Sequence, residues 1–150
     1  MYNTIPDFIK GQNRKHKYNG KIKCIALSAD IVGFTKMTER LMKYGKEGAE
    51  IVSSILNTLF DPVIVNLYRN KGYIAHYTGD GFIAIFPEMY KINACFHAEK
   101  IQNIFKSNLI HNTKLGRFKL SIKVGLSLRK SRNFTKNKNI FIESRRLCKR

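Results

Sequence analysis

The stretch Ser28-Ala29-Asp30-Ile31-Val32-Gly33-Phe34-Thr35 decides the fold. An apolar run, Ile22 to Leu27, leads into it, and a helical pattern leaves it. The run predicts a buried strand over 22–28, so Asp30 falls where a strand ends and a turn begins. Gly33 lets the backbone bend there. The amides of Ile31 to Thr35 then lie just ahead of a helix N-terminus, where free N–H groups and the helix dipole favour an anion. A carboxylate beside an anion site is an electrostatic conflict that a divalent cation resolves.

Working outward, residues 1–20 are polar and basic and read as a lead-in segment. Lys36 to Tyr44 has helical character, interrupted by Gly45 and Gly48. Ile51, Ile55, Leu59, Val63 and Leu67 then recur every four residues, a wide apolar stripe on one helix face. Pro62 lies inside that pattern and predicts a kink or break. Tyr73–Thr78 and Phe82–Phe86 read as two strands, joined by a hairpin at Gly79-Asp80-Gly81. Residues 89–106 carry Ile92, Cys95, Phe96, Ile101, Ile104 and Phe105 and predict a second core helix. Phe118, Leu120, Ile122, Val124 and Leu126 alternate as a fourth strand running to Leu128.

The order β-α-β-β-α-β predicts an α+β, ferredoxin-like sheet with helices on one face. The domain is expected over 21–128. Residues 129–150 are expected as a solvated, poorly ordered basic tail. In that topology the third strand lies antiparallel beside the first. The end of one strand therefore meets the start of the other, and topology alone brings Asp30 to Asp80.

Composition sets bounds on this reading. The chain has 150 residues and 43% hydrophobic content, enough for one domain with a core. Lys+Arg 28 against Asp+Glu 10 gives +18. Residues 101–150 hold 14 basic residues and a single acid, Glu143. Such a bias favours polyanion partners, including nucleotide phosphates. Cys24, Cys95 and Cys148 are widely spaced and lack C-x-x-C, which argues against a zinc site or disulfide framework and fits a reducing cytoplasm. Cys24 and Cys95 are expected as buried apolar fillers. No signal-peptide pattern and no apolar run of membrane-spanning length is expected.

Taken singly, an aspartate at a strand end is a turn former or helix cap. Two brought together repel each other and resist desolvation. Mg²⁺ or Mn²⁺ removes that conflict and takes one or two carboxylates plus substrate phosphates. The turn 31–35 offers amides to those phosphates. The combination points to a nucleoside triphosphate site and metal-assisted phosphoryl chemistry.

Three ordered motifs, L-S-A-D-I-V-G-F-T, G-A-E-I-V-S-S-I-L-N and G-Y-I-A-H-Y-T-G-D-G-F-I-A-I-F-P, resemble the first half of a class III adenylyl/guanylyl cyclase catalytic domain. The resemblance covers roughly residues 20–128 and is closest to the soluble, bicarbonate-responsive type. It implies a cyclic-nucleotide-forming lyase in intracellular signalling, acting on ATP or GTP with two Mg²⁺ or Mn²⁺ ions. It implies Asp30 and Asp80 as metal ligands, with the Ile31 backbone carbonyl as a further ligand. Gly33, Phe34 and Thr35 match the phosphate-binding turn. It also implies a second cyclase domain, in a homodimer or heterodimer, which completes the site.

The sequence departs from the family at two places. His76 stands four residues before Asp80, where adenylyl cyclases carry a base-selecting lysine, so ATP and GTP stay open. Beyond Val124-Gly125-Leu126-Ser127 the family's asparagine and transition-state arginine are not recognisable. Arg146 in S-R-R-L arrives too early, with Ile142 where the asparagine belongs. The resemblance implies an incomplete cyclase core and identifies no catalytic residue. The alternative is an RNA-binding module of RRM-like β-α-β-β-α-β fold, favoured by +18. Against it, Asp80 and Ile85 stand where stacking aromatics belong. A diguanylate-cyclase relative ranks below both, since G-D-G-F only partly echoes G-G-D-E-F.

Overall fold

Alternation sets the first strand. Along β1 (Asn19–Val32), Leu27, Ala29 and Ile31 point into one buried layer, and Ser28 and Asp30 point to the opposite face. The computed structural model describes residues 19–136 and 139–143, with side chains described over 23–128. After β1 come α1 (Phe34–Leu41), a 3₁₀ turn at Met42–Tyr44 and α2 (Gly45–Arg69). The hairpin β2 (Tyr73–Tyr77) and β3 (Gly81–Pro87) follows, then α3 (Lys91–Ser107). A small hairpin, β4 (Ile110–Thr113) and β5 (Gly116–Lys119), precedes the long β6 (Ser121–Lys136) and β7 (Asn139–Glu143).

The main sheet has the order β2-β3-β1-β6-β7 and is antiparallel throughout. Its first four strands reproduce the expected ferredoxin-like arrangement, with β3 beside β1. One face is covered by helices. Val52, Ile55, Leu59, Val63 and Leu67 of α2 and Ala94, Ile101 and Phe105 of α3 bury against Leu27, Ala29 and Ile31 of β1 and Phe82, Ala84 and Phe86 of β3. Burying that many large aliphatic and aromatic side chains, at about 1.5–3 kcal/mol each, is what holds the layers together.

Several boundaries differ from the sequence expectation, each for a physical reason. β1 runs four residues further than the expected 28, because Asp30 to Val32 still pair with Lys123 to Ser121 of β6. Gly45 does break the helical run, with φ +58° and ψ −130° where the 3₁₀ turn ends and α2 starts. Gly48 does not; it lies within α2, where a Cβ would collide with the Leu41 carbonyl oxygen. Pro62 is tolerated inside a continuous α2 on its exposed side.

The expected strand 118–128 is split. Phe118 belongs to the β4–β5 hairpin and Leu120 to the link, so apolar alternation continues across a change of sheet. On α3 the buried positions are Ala94, His97, Ile101 and Phe105, whereas Ile92, Cys95 and Phe96 are exposed. The expected burial of Cys95 is corrected accordingly, while Cys24 is buried.

Where a poorly ordered tail is expected, the backbone of 129–136 continues β6 and Asn139–Glu143 pairs with it. Residues 1–18, 137–138 and 144–150, including Arg146 and Cys148, lie outside the described residues. The expectation of no membrane-length apolar run is also corrected. The helical stretch 34–69 is long and apolar enough to cross a membrane by length and composition. The apolar side of α2 packs on the sheet here, as a core helix does.

Candidate functional site

The hairpin between β2 and β3 delivers Asp80 to β1. Gly79 takes a left-handed φ of +88°, and the Thr78 N–H donates to the Gly81 carbonyl at 3.0 Å, closing a tight turn. Gly81 faces Asp30 in register. A Cβ at Gly81 would collide with the Ala29 carbonyl oxygen, so only glycine lets the start of β3 come this close to β1. The Ile31 N–H then donates to the Asp80 carbonyl at 3.0 Å. The side chain of Ile31 itself is in the core.

The two carboxylates meet. Desolvation by crowding neighbours, then the Asp80 charge and a hydrogen bond shared with Asp80, raise the Asp30 carboxyl above the ordinary carboxylate range. The Asp30 side chain stays solvent-accessible, so crowding rather than full enclosure supplies the desolvation. Lys123 opposes the shift. It pairs with Asp30 across β1 and β6, on the same face of the sheet. Sequence reading passes over Lys123. The signal is there once β6 is placed beside β1, because Lys123 falls between the inward positions Ile122 and Val124.

Beyond β1 the chain turns at Gly33, with φ +95°. A Cβ there would lie 2.8 Å from the carbonyl oxygen of Lys119, the last residue of β5. Gly33 is the residue before α1, and no side chain caps that helix. The first-turn amides of Phe34, Thr35 and Lys36 therefore have no side-chain cap, a few residues along the chain from Asp30. Met37 N–H returns to the Gly33 carbonyl at 3.1 Å, and Thr38 Oγ1 donates to the carbonyls of Phe34 (3.1 Å) and Thr35 (2.9 Å). Phe34 packs on the core and Thr35 is exposed.

His76 reaches the same face by a bulge. Tyr73 pairs with Ile85 and Ile74 with Ala84, but His76 pairs with Ile83, leaving Ala75 as the extra residue. Without it, His76 would share the helix-covered face with Ile74. With it, His76 lies on the face of Asp30, two strands away. Its imidazole is exposed.

The donor set fits a hard divalent cation. Two carboxylates share one nearby cation, Lys123, and no third His, Cys, Asp or Glu gathers with them among the described residues. That set suits Mg²⁺ or Mn²⁺, which take few protein carboxylates and fill remaining positions with water and phosphate oxygens. It does not suit zinc, which seeks nitrogen and sulfur.

No family model and no curated protein matches the sequence. Solved structures do match the fold. A bacterial light-regulated adenylyl cyclase aligns with TM-score 0.63 at 14% identity, over 93% of this chain and 42% of its own. The guanylate cyclase domain of RhGC from Catenaria anguillulae, solved with GTP, aligns with TM-score 0.64 at 16% identity, over 85% of this chain and 69% of its own. The non-canonical dimeric guanylyl cyclase domain of the RhoGC fusion protein from the aquatic fungus Blastocladiella emersonii gives TM-score 0.60 at 18% identity, over 84% of this chain and 68% of its own. The chain thus spans less than half the length of the bacterial enzyme. None of these comparisons supports the RNA-binding reading. The fold of this chain is that of the adenylyl/guanylyl cyclase catalytic domain.

Proposed function

We propose that this chain forms the metal- and triphosphate-binding side of a class III nucleotidyl cyclase site. The observation that carries the reading is the meeting of Asp30 and Asp80 across two strands, with Lys123 beside them. Asp30 and Asp80 would hold the Mg²⁺ or Mn²⁺ ions, two in the full site, with the Ile31 carbonyl as a further oxygen donor. When bound, such ions neutralise triphosphate charge and polarise the reacting oxygens.

The chain's own groups do the rest. The amides at the start of α1 would donate to the phosphate oxygens, and the Gly33 turn keeps side chains out of their way. Lys123 would offset phosphate charge from β6. His76 would meet the base from β2, offering a donor and an acceptor where a lysine offers donors only. The substrate is ATP or GTP, the product is a 3′,5′-cyclic nucleotide and the leaving group is pyrophosphate. A neighbouring fungal domain was solved with GTP, and another was solved as a non-canonical dimer and also as a monomer. The GTP complex supports a nucleotide ligand here, and the second cyclase domain is the partner that the one-sided site calls for. This chain alone supplies one side of that site and is expected to turn over negligibly.

Calorimetric titration with Mg²⁺ or Mn²⁺ and a non-cleavable ATP or GTP analogue tests the reading. Wild type binds the metal–nucleotide complex, and Asp30→Ala and Asp80→Ala lose it. Equal binding by wild type and Asp80→Ala would falsify the metal site. Cyclic nucleotide formed by the purified chain, and lost in Asp30→Ala, would overturn the one-sided assignment.

A further inference from the structure

The helix layer of the sheet leaves an apolar strip open. α2 and α3 pack on β1 and β3, and α3 also lies against β6, where Leu126 and Leu128 stay exposed. A groove of about 400 Å³ opens there between α3 and β6. Ile25, Ile92, Cys95, Leu126 and Leu128 line it, with Lys91 at the wall. Ile92 is 62% exposed and Leu128 64%. Phe96, 65% exposed, continues the stripe one turn along α3, and Met89, 79% exposed, stands in the 3₁₀ turn just before that helix. Large apolar side chains gathered this way on a soluble surface mark a docking site.

We propose that this groove receives an acidic amphipathic helix from another protein. The shape follows from the layer. A helix about 10 Å wide is the element that lies beside α3 on a sheet face. Leu126 and Leu128 stand on the same side of β6, roughly 6.6 Å apart, close to the rise between i and i+4 on a helix. The floor is apolar and takes the apolar face of the incoming helix. The charge chooses the partner. The chain carries +18, and residues 101–150 hold 14 basic residues against one acid. A second copy brings the same positive charge and is repelled, whereas an acidic flank is drawn in. Phosphate-bearing partners find no use for the apolar floor. This inference is independent of the nucleotide site, which lies on the opposite face of the sheet.

The probe is a synthetic Leu/Glu peptide of about 20 residues, long enough to form several helical turns, with leucine at helical spacing along one face. Fluorescence anisotropy of the labelled peptide follows binding to the full chain. Leu128→Asp and Ile92→Asp each weaken binding by about tenfold or more, and Lys91→Glu by a smaller factor. An isomer with the same composition, but leucines spread around the helix, binds at least about tenfold more weakly.

Both groove positions are exposed, so the variants are expected to fold, and circular dichroism checks that they do. Equal binding of the two peptides overturns the proposal, because charge alone then explains it. Binding insensitive to Leu128 and Ile92 overturns it too. So does concentration-dependent self-association abolished by Leu128→Asp, which assigns the groove to a second copy. Binding of the wild type to anionic vesicles through the same residues, without peptide binding, also overturns it.

Discussion

His97 makes the stability of this fold depend on pH in a predictable direction. The imidazole is 1% exposed, between α2 and α3, with its ring 5.7 Å from that of Phe86. Nδ1 lies 2.8 Å from Asn66 Oδ1, an acceptor that also takes a bond from Asn70 Nδ2 at 3.2 Å. Nδ1 therefore carries the hydrogen, and Nε2 is buried without a partner. Burial pushes the pKa down from 6.5 to about 4. The unfolded chain binds this proton below its ordinary pKa, and the folded chain does so only near 4. The neutral form's full stability is present above pH 6.5 and is lost as pH falls towards 4.

At about 1.36 kcal/mol per pH unit, the whole window is worth about 3 kcal/mol, of which about 2 kcal/mol is gone by about pH 5. Urea denaturation of wild type and His97→Asn at several pH values isolates this contribution. The substituted side chain keeps a donor towards Asn66 but does not titrate. Shared contributions, including the raised Asp30 carboxyl and the lowered His111, cancel in the difference. Between about pH 7.5 and 5, wild type loses about 2 kcal/mol more than the variant. Parallel losses in the two proteins would refute the reasoning.

Three other expectations concern the site. Gly33→Ala forces a side chain into the left-handed region and against the Lys119 carbonyl, costing at least about 1–2 kcal/mol by urea denaturation; an unchanged midpoint contradicts this. Asp80→Asn relieves like-charge repulsion and raises metal-free stability by about 0.5–1 kcal/mol, read as a higher melting temperature in chelator. No rise there means the carboxylates do not repel. Lys123→Ala weakens metal–nucleotide binding by about tenfold, with recovery in Lys123→Arg; equal affinities for all three proteins remove Lys123 from the site.

Much of the framework can be read from the residues. Period-four apolar spacing identifies α2, and Gly79-Asp80-Gly81 identifies the hairpin. Strand order then places Asp30 opposite the start of β3. What escapes is set by tertiary context. The strand change at Leu120 is silent because alternation is preserved through it. The phase of α3 is hidden because the buried face includes a histidine and an alanine, while Ile92 and Phe96 face outward. The bulge at Ala75 leaves no local mark, since both registers put an aromatic or apolar residue in the ladder. Lys123 needs a neighbour strand before its position means anything.

The extra residue at Ala75 has one more effect. Among the described residues β2 and β7 are the sheet's two edge strands, the positions where unpaired amides and carbonyls can recruit a foreign strand. At β2 the row is broken between Ile74 and His76, so it makes a poor template. At β7 the pairing with β6 runs without a shift from Asn139 to Glu143. Among the described residues, the addition of a further strand is therefore disfavoured at β2 and left to β7, so a continuous fibre, which needs two templates, is blocked at one end.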